Sequence, residues 1–262
     1  MTLTDQTLAA HRSAHDQLVA LVRDLPADDL SRQSGAAEWT VAQVLSHLGS
    51  SAELALPTLR AAQAGRDNPA DGNQAVWDRW NAWSPEEQRA AFLEHSETAL
   101  AAYEALDAGE RESLRIPLGF LPEPATVGLL GGMRLNEAAL HGWDVAVAFD
   151  EDARLPEDVS AALLDQHRGP LSFLLGFTGK TDQVDGTPSL LIITTAPDTT
   201  LGLHLGEQAA LGDAPDRPDG ELRIPAEALL RLISGRLPRT PAGVASSGGP
   251  DIDDLRRVFP GY

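Results

Sequence analysis

The segment from Thr126 to Phe149 constrains the fold most, because it contains no proline and can run as one unbroken helix. Leu129, Leu135, Leu140, Trp143 and Val147 spread over most of its circumference, and a helix that is apolar over so much of its surface is normally buried. One polar arc interrupts the pattern. At about 100° per residue, Glu137 and His141 stand about 40° apart, one turn from each other, and Arg134 and Asp144 share their arc. A carboxylate and an imidazole placed in this way can share one divalent ion.

Three further long helices are legible. From about Thr4 to Leu25 the residues Leu8, His11, His15, Leu18, Val22 and Leu25 recur at helical spacing, and Pro26 ends the run. A second helix begins at Thr40, which caps it in a box with Gln43. Val41, Val44, Leu45, Leu48 and Ala52 form its apolar stripe, and His47 lies at the stripe's edge, facing a bundle from the side. Ser84-Pro85-Glu86-Glu87 opens a third helix that runs to about Leu106. Between these two, Gly65 to Asn73 reads as a loop, followed by a short helix with Trp77, Trp80 and Trp83, a spacing more typical of core than of a ligand cleft. Ala108 to Pro124 reads as a crossover loop because of Pro117, Pro122 and Pro124. Residues 1–150 are therefore expected to form a four-helix bundle with a long connection.

Beyond Asp150 the pattern changes. A helix over Glu157 to His167 precedes strands at Ser189 to Thr195, Thr200 to Leu205 and Glu221 to Ile224. Helices follow from about Ala226 to Ser234 and from Asp251 to Val258, with Thr240 to Pro250 as a Gly/Ser/Pro linker. The expected fold class is multi-domain, an α bundle followed by a small α+β domain over residues 151–262.

A formal net charge of −19 argues against a nucleic-acid partner, which needs lysine and arginine against phosphates. The chain has no cysteine, which excludes a thiolate zinc site and a cysteine nucleophile, so any thiol chemistry must use a thiol from outside. No stretch approaches the roughly 18 apolar residues of a membrane span, and the first residues lack the pattern of a signal peptide. The expectation is a cytoplasmic protein, monomer or homodimer, with no membrane partner. Phosphate-binding glycine motifs are absent too, so nothing points to a nucleotide.

The sharpest site joins His47 to Glu137 and His141. Three protein ligands leave one coordination position open, the pattern of a catalytic zinc site. The spacing alone is also, and more commonly, that of an exposed pair on one helix and an unrelated core-edge histidine on another. His11 and His15, again four apart, read as surface or bundle-edge residues, and Asp144 reads as a hydrogen-bond partner for a ligand histidine.

Two phrases carry more information as a pair. Trp39-Thr40-Val41-x-x-Val44-Leu45-x-His47-Leu48 and Arg134-x-x-Glu137-x-x-x-His141-x-Trp143-Asp144, together with the α+β tail, resemble the mycothiol-dependent maleylpyruvate isomerase family, actinobacterial proteins of the DinB-like helical-bundle superfamily. The resemblance covers nearly the whole chain. It implies a DinB-like bundle joined to a sterol-carrier-like domain, a zinc-type divalent metal on His47, Glu137 and His141, and mycothiol as thiol cosubstrate. The marker of the tail is Glu221-Leu-Arg-Ile followed by Leu229-Leu-Arg-Leu-Ile-Ser-Gly-Arg236. Family members use an arginine of this domain near the metal, and Arg236 is the best match for that catalytic role. Arg134 is a second candidate for binding the anionic group.

The reaction that the resemblance implies is addition of the mycothiol thiolate to the cis double bond of maleylpyruvate, rotation, and elimination to the trans isomer. A metal at the open site favours the thiolate over the thiol near neutral pH. The same apparatus suits a mycothiol S-transferase that conjugates a small-molecule electrophile. A protein of another class, a non-catalytic carrier of an apolar ligand, is the third reading.

Overall fold

The computed structural model describes residues 1–66 and 73–261, so most of the loop expected from Gly65 to Asn73 lies outside the described residues. The chain divides into two compact units, Met1–Ala153 and Arg154–Tyr262.

The first unit contains α1 (Leu3–Val22), α2 (Ala27–Leu30), α3 (Val41–Gln63), α4 (Asn73–Ala82), α5 (Pro85–Glu104), α6 (Ala108–Ser113), the short strands β1 (Arg115–Ile116) and β2 (Ala125–Thr126), and α7 (Val127–Ala146). Local chemistry sets the starts of the long helices. Thr2, Thr40 and Ser84 each close a capping box with Asp5, Gln43 and Glu87, and the Thr126 hydroxyl accepts from the Leu129 N–H. Helix α1 packs along α7 and α3 along α5, while contacts of α3 with α7 and of α1 with α5 close the bundle.

Apolar residues gather into two clusters within this bundle. One holds Leu18, Val22, Val41, Val44, Leu45, Leu48, Trp80, Phe92 and Val145, and the other holds Leu8, Leu59, Tyr103, Leu106, Ile116, Ala125, Val127 and Leu130. On each long helix the two clusters take opposite ends. The buried polar residues His11, His15, Ser50, Ser96, Asn136 and His141 fall between them in the chain. Each fully buried large apolar side chain contributes about 1.5–3 kcal/mol, so the two ends supply the stability that lets the middle carry polar groups.

Three expectations for this unit need correction. The segment Ala108 to Pro124 is not all loop: Asp107 caps α6 in a box with Glu110, and β1 pairs antiparallel with β2 through Arg115↔Thr126 and Ile116↔Ala125. The prolines at 117, 122 and 124 flank the paired residues without occupying them, and Ile116 and Ala125 are buried beneath the ribbon. His11 and His15 are not surface residues, because both turn into the bundle and are 8% and 5% exposed. The three tryptophans divide as well: Trp80 is fully buried and donates its indole N–H to Glu53, whereas Trp77 is exposed.

The second unit comprises α8 (Glu157–Arg168), α9 (Phe173–Thr178), a single 3-10 turn (Thr181–Gln183), β3 (Ser189–Thr195), β4 (Thr199–Leu205), β5 (Ala209–Gly212), β6 (Gly220–Pro225), α10 (Ala226–Ile233), β7 (Ala245–Gly248) and α11 (Ile252–Val258). Its five strands lie in the order β5-β4-β3-β6-β7; β3 and β6 run parallel and every other pair is antiparallel. Leu190 and Ile192 alternate inward with Leu201, Leu203 and Leu205, as a sheet buried on one face requires. Strand β7 lies within the stretch expected as a linker. It is an edge strand with all four residues exposed, so it carries no alternation to read. Strand β5 is only four residues long and was also illegible, although Ala209 and Leu211 point inward.

Candidate metal centre

Helices α3 and α7 bring His47, Glu137 and His141 together, so that one ligand atom from each lies within 4.8 Å of the others. Glu137 Oε2 is the hub, 2.8 Å from His47 Nε2 and 3.6 Å from His141 Nε2. The other ring nitrogen of His141 is held from behind: Nδ1 donates to Asp144 Oδ2 at 2.8 Å, and Asp144 is fully buried. That bond fixes the orientation of the ring and leaves Nε2 facing Glu137.

A loop braces the two imidazoles. The Trp39 ring lies 5.0 Å from His47 and 5.6 Å from His141, between centroids, and the imidazoles are 4.8 Å from each other. Ser34 holds the loop closed, with its N–H and hydroxyl both donating to the Trp39 carbonyl, at 3.0 and 2.7 Å. The Gly35 N–H donates to the Asp144 carbonyl at 2.7 Å, tying the loop to the residue that orients His141. A side chain at Gly35 would crowd this junction, since an added Cβ would meet Val147 Cγ1 at 2.8 Å and Asp144 Cα at 3.1 Å.

The electrostatics suit a cation. Burial raises the Glu137 carboxyl, but the His47 hydrogen bond and the charges of His141, His47 and Arg134 outweigh it and bring the carboxyl down to about 2, so it is ionised. A carboxylate oxygen and two imidazole nitrogens form a mixed O/N donor set of the kind that binds zinc, with three protein ligands and room for a fourth. The residues present therefore fit a divalent ion.

Among the described residues, one other group can gather ligand atoms: His15, Asp16 and Glu97. Arg12 already neutralises it, with ion pairs to Asp16 at 3.3 Å, Glu97 at 2.6 Å and Glu104 at 2.7 Å. His15 Nε2 instead shares a hydrogen bond with Ser96 Oγ at 3.0 Å.

Arg134 sits one turn before Glu137 on α7, half-buried. Arg236 belongs to the second unit, where it follows α10 in a Schellman turn. Its N–H donates to the Arg231 carbonyl and the Gly235 N–H to the Leu232 carbonyl, with Gly235 at φ +72° as the left-handed residue such a turn needs. Its Nη1 donates to the Ser234 carbonyl at 3.2 Å. Sequence reasoning missed the part played by Trp39, although the residue stood at the head of the first phrase. Nothing in helical periodicity reports a loop residue that packs on two side chains from different helices.

A helical bundle followed by an α+β unit is also the fold of mycothiol-dependent maleylpyruvate isomerase. The crystal structure of that enzyme superposes with a TM-score of 0.62 at 17% identity, covering 96% of this chain and 95% of the other. A histidine-to-alanine mutant of the enzyme gives 0.62 at 15% identity over the same shares. Residues 11–146 match the family model for the mycothiol maleylpyruvate isomerase N-terminal domain, and the chain belongs to that family. Two uncharacterized proteins of Mycobacterium tuberculosis, MT0763 of strain CDC 1551 and Rv0738 of strain H37Rv, are each 27% identical over 177 residues, which is 62% of this chain and 82% of theirs. No helix among the described residues is long and apolar enough to cross a membrane.

Proposed function

We propose that the protein is a metal-dependent, mycothiol-using enzyme of the maleylpyruvate isomerase type. The observation that carries this reading is the convergence of His47, Glu137 and His141 within 4.8 Å, with His141 locked by Asp144. These three residues would hold a divalent ion, of which zinc suits the donor set best, and a bound ion would lower the pKa of a thiol brought to the open position.

The chain's own residues do the rest. His47, Glu137 and His141 fix the reaction centre, Asp144 keeps one imidazole in the orientation that presents Nε2, and Trp39 packs on both rings. In the addition step the thiolate sulfur forms a bond to one carbon of a cis double bond conjugated to a carbonyl. The π pair moves to the carbonyl oxygen, giving an enolate. Rotation about the resulting single bond and return of that pair expel the thiolate and leave the trans alkene, so no proton or electron is consumed overall. An arginine that faces the enolate or a substrate carboxylate lowers the barrier, and Arg236 is our candidate for it.

The test is the metal content of untagged protein beside His47→Ala and Glu137→Ala. We expect about one zinc per chain in the wild type, lost in both variants with helix content unchanged, and isomerisation of maleylpyruvate that needs only catalytic mycothiol. A wild type that takes up no zinc on reconstitution refutes the reading. Stoichiometric consumption of mycothiol would instead make the protein an S-transferase.

A further inference from the structure

The two imidazoles of the candidate metal centre are supported unequally. His141 donates from Nδ1 to the buried Asp144 carboxylate, whereas His47 Nδ1 makes no hydrogen bond with any described residue, Glu137 being its partner at Nε2. A ligand histidine is ordinarily oriented by a partner on its second ring nitrogen. His47 is also the more open of the two, with 34% of its side chain exposed against 11% for His141.

What His47 has instead is Trp39. The indole centroid lies 5.0 Å from that of His47 with the planes 38° apart, and 5.6 Å from that of His141 at 32°. The imidazoles themselves meet edge to face, 4.8 Å apart at 67°. Aromatic rings at about 4.5–7 Å are in packing contact, so the three restrain one another. The indole is anchored in turn, because the loop of residues 33–39 is stitched shut at its base. The Val41 N–H donates to the Arg32 carbonyl at 2.9 Å, and Gln33 and Thr40 form an antiparallel bridge. Gln33 Nε2 donates to the Ala36 and Trp39 carbonyls at 2.8 and 2.9 Å. With the two bonds from Ser34, the Trp39 carbonyl is held on three sides.

A simpler role exists for an apolar residue at this position. Trp39 precedes the cap Thr40, and Val44, four residues after the cap, is fully buried, which is the spacing of a hydrophobic staple. Leucine would serve that role equally. It has no flat face to lay against two imidazoles from different helices.

We propose that Trp39 is a positioning residue of the metal centre: its indole, held by the loop of residues 33–39, orients the His47 ring in place of the missing hydrogen bond and keeps Nε2 turned toward Glu137. Its use in catalysis rests on the proposed metal-dependent function; the positioning itself does not.

The test begins with metal-free protein. Nuclear Overhauser contacts from the His47 ring protons to those of Trp39 and His141 should be present in the wild type. The His47–His141 contact should disappear in Trp39→Leu and persist in Trp39→Phe, while the Nδ1 proton of His141, held by Asp144, remains in both. Zinc affinity, measured by competition with a chelator, should fall about 10–100-fold in Trp39→Leu, the usual cost of losing a group that orients a ligand. Trp39→Phe should restore most of it. Val44→Ala opens the staple and spares the indole, so it should lower the urea midpoint with zinc affinity unchanged. Ser34→Ala keeps indole and staple but loosens the anchor; it should weaken the His47–Trp39 contact, and it decides the matter if circular dichroism shows Trp39→Leu unfolded. A His47–His141 contact that survives Trp39→Leu, or zinc affinity that falls as far in Val44→Ala, overturns the proposal. Loss of the His141 Nδ1 proton in Trp39→Leu would mean that the whole site is disturbed, and overturns it too. A wild type that takes up no zinc refutes the metal reading alone, and the ring contacts still decide what holds His47.

Discussion

The bond from His141 to Asp144 makes a quantitative prediction. Asp144 is fully buried, and its Oδ2 lies 2.8 Å from His141 Nδ1. Asp144→Asn keeps the shape and an acceptor oxygen but removes the charge that makes His141 a better donor to a metal. Replacing such a supporting carboxylate typically costs 10–100-fold in metal affinity, about 1.4–2.7 kcal/mol. Asp144→Ala removes the acceptor too and leaves the Nδ1 hydrogen in a site only 9% exposed, which adds about 1–3 kcal/mol to the loss of folding stability. The two variants should therefore separate: Asn mainly weakens zinc, and Ala weakens zinc and unfolds at lower denaturant. Competition against a chromophoric chelator gives the first quantity and urea titration of metal-free protein the second. If Asn and Ala both bind zinc as tightly as wild type while His141→Ala does not, Asp144 does not orient the ligand and the reasoning is wrong.

Two further outcomes follow from packing and charge. Gly35→Ala would drive a methyl into Val147 and the Asp144 backbone; it should cost about 1–3 kcal/mol and also lower zinc affinity, whereas Gly49→Ala, which would strike the buried Trp80 ring, should lower stability without that second effect. Acid should destabilise both units through histidines that burial depresses from 6.5, His11 to about 3 in the first and His167 to about 4 in the second. The sign is set by the unfolded state, which binds the extra proton below pH 6.5 while the folded state does not. Stability is thus complete above that pH and lost as pH falls toward the folded pKa, by about 2 kcal/mol per histidine between pH 6.5 and 5. Urea midpoints at the two pH values measure it, and His11→Leu should flatten the dependence of the first unit alone.

What the sequence disclosed and what it withheld have a common physical origin. Helix starts were legible because Thr40, Ser84 and the glutamine or glutamate three residues on write the capping box locally, and strands β3 and β4 because one buried face imposes alternation on Leu190, Ile192, Leu201, Leu203 and Leu205. The triad was legible only in part: Glu137 and His141 share a face by helical spacing, but nothing in the spacing joins His47, 90 residues away, to Glu137. The position of His47 at the edge of its helix's apolar stripe suggested the link, and the family resemblance strengthened it. The tertiary environment was hidden altogether. His11 and His15 stand at the same spacing as Glu137 and His141, yet both are buried in the bundle, and the His15 ring shares its hydrogen bond with Ser96. An i,i+4 pair thus marks a face of a helix and leaves open what the face meets.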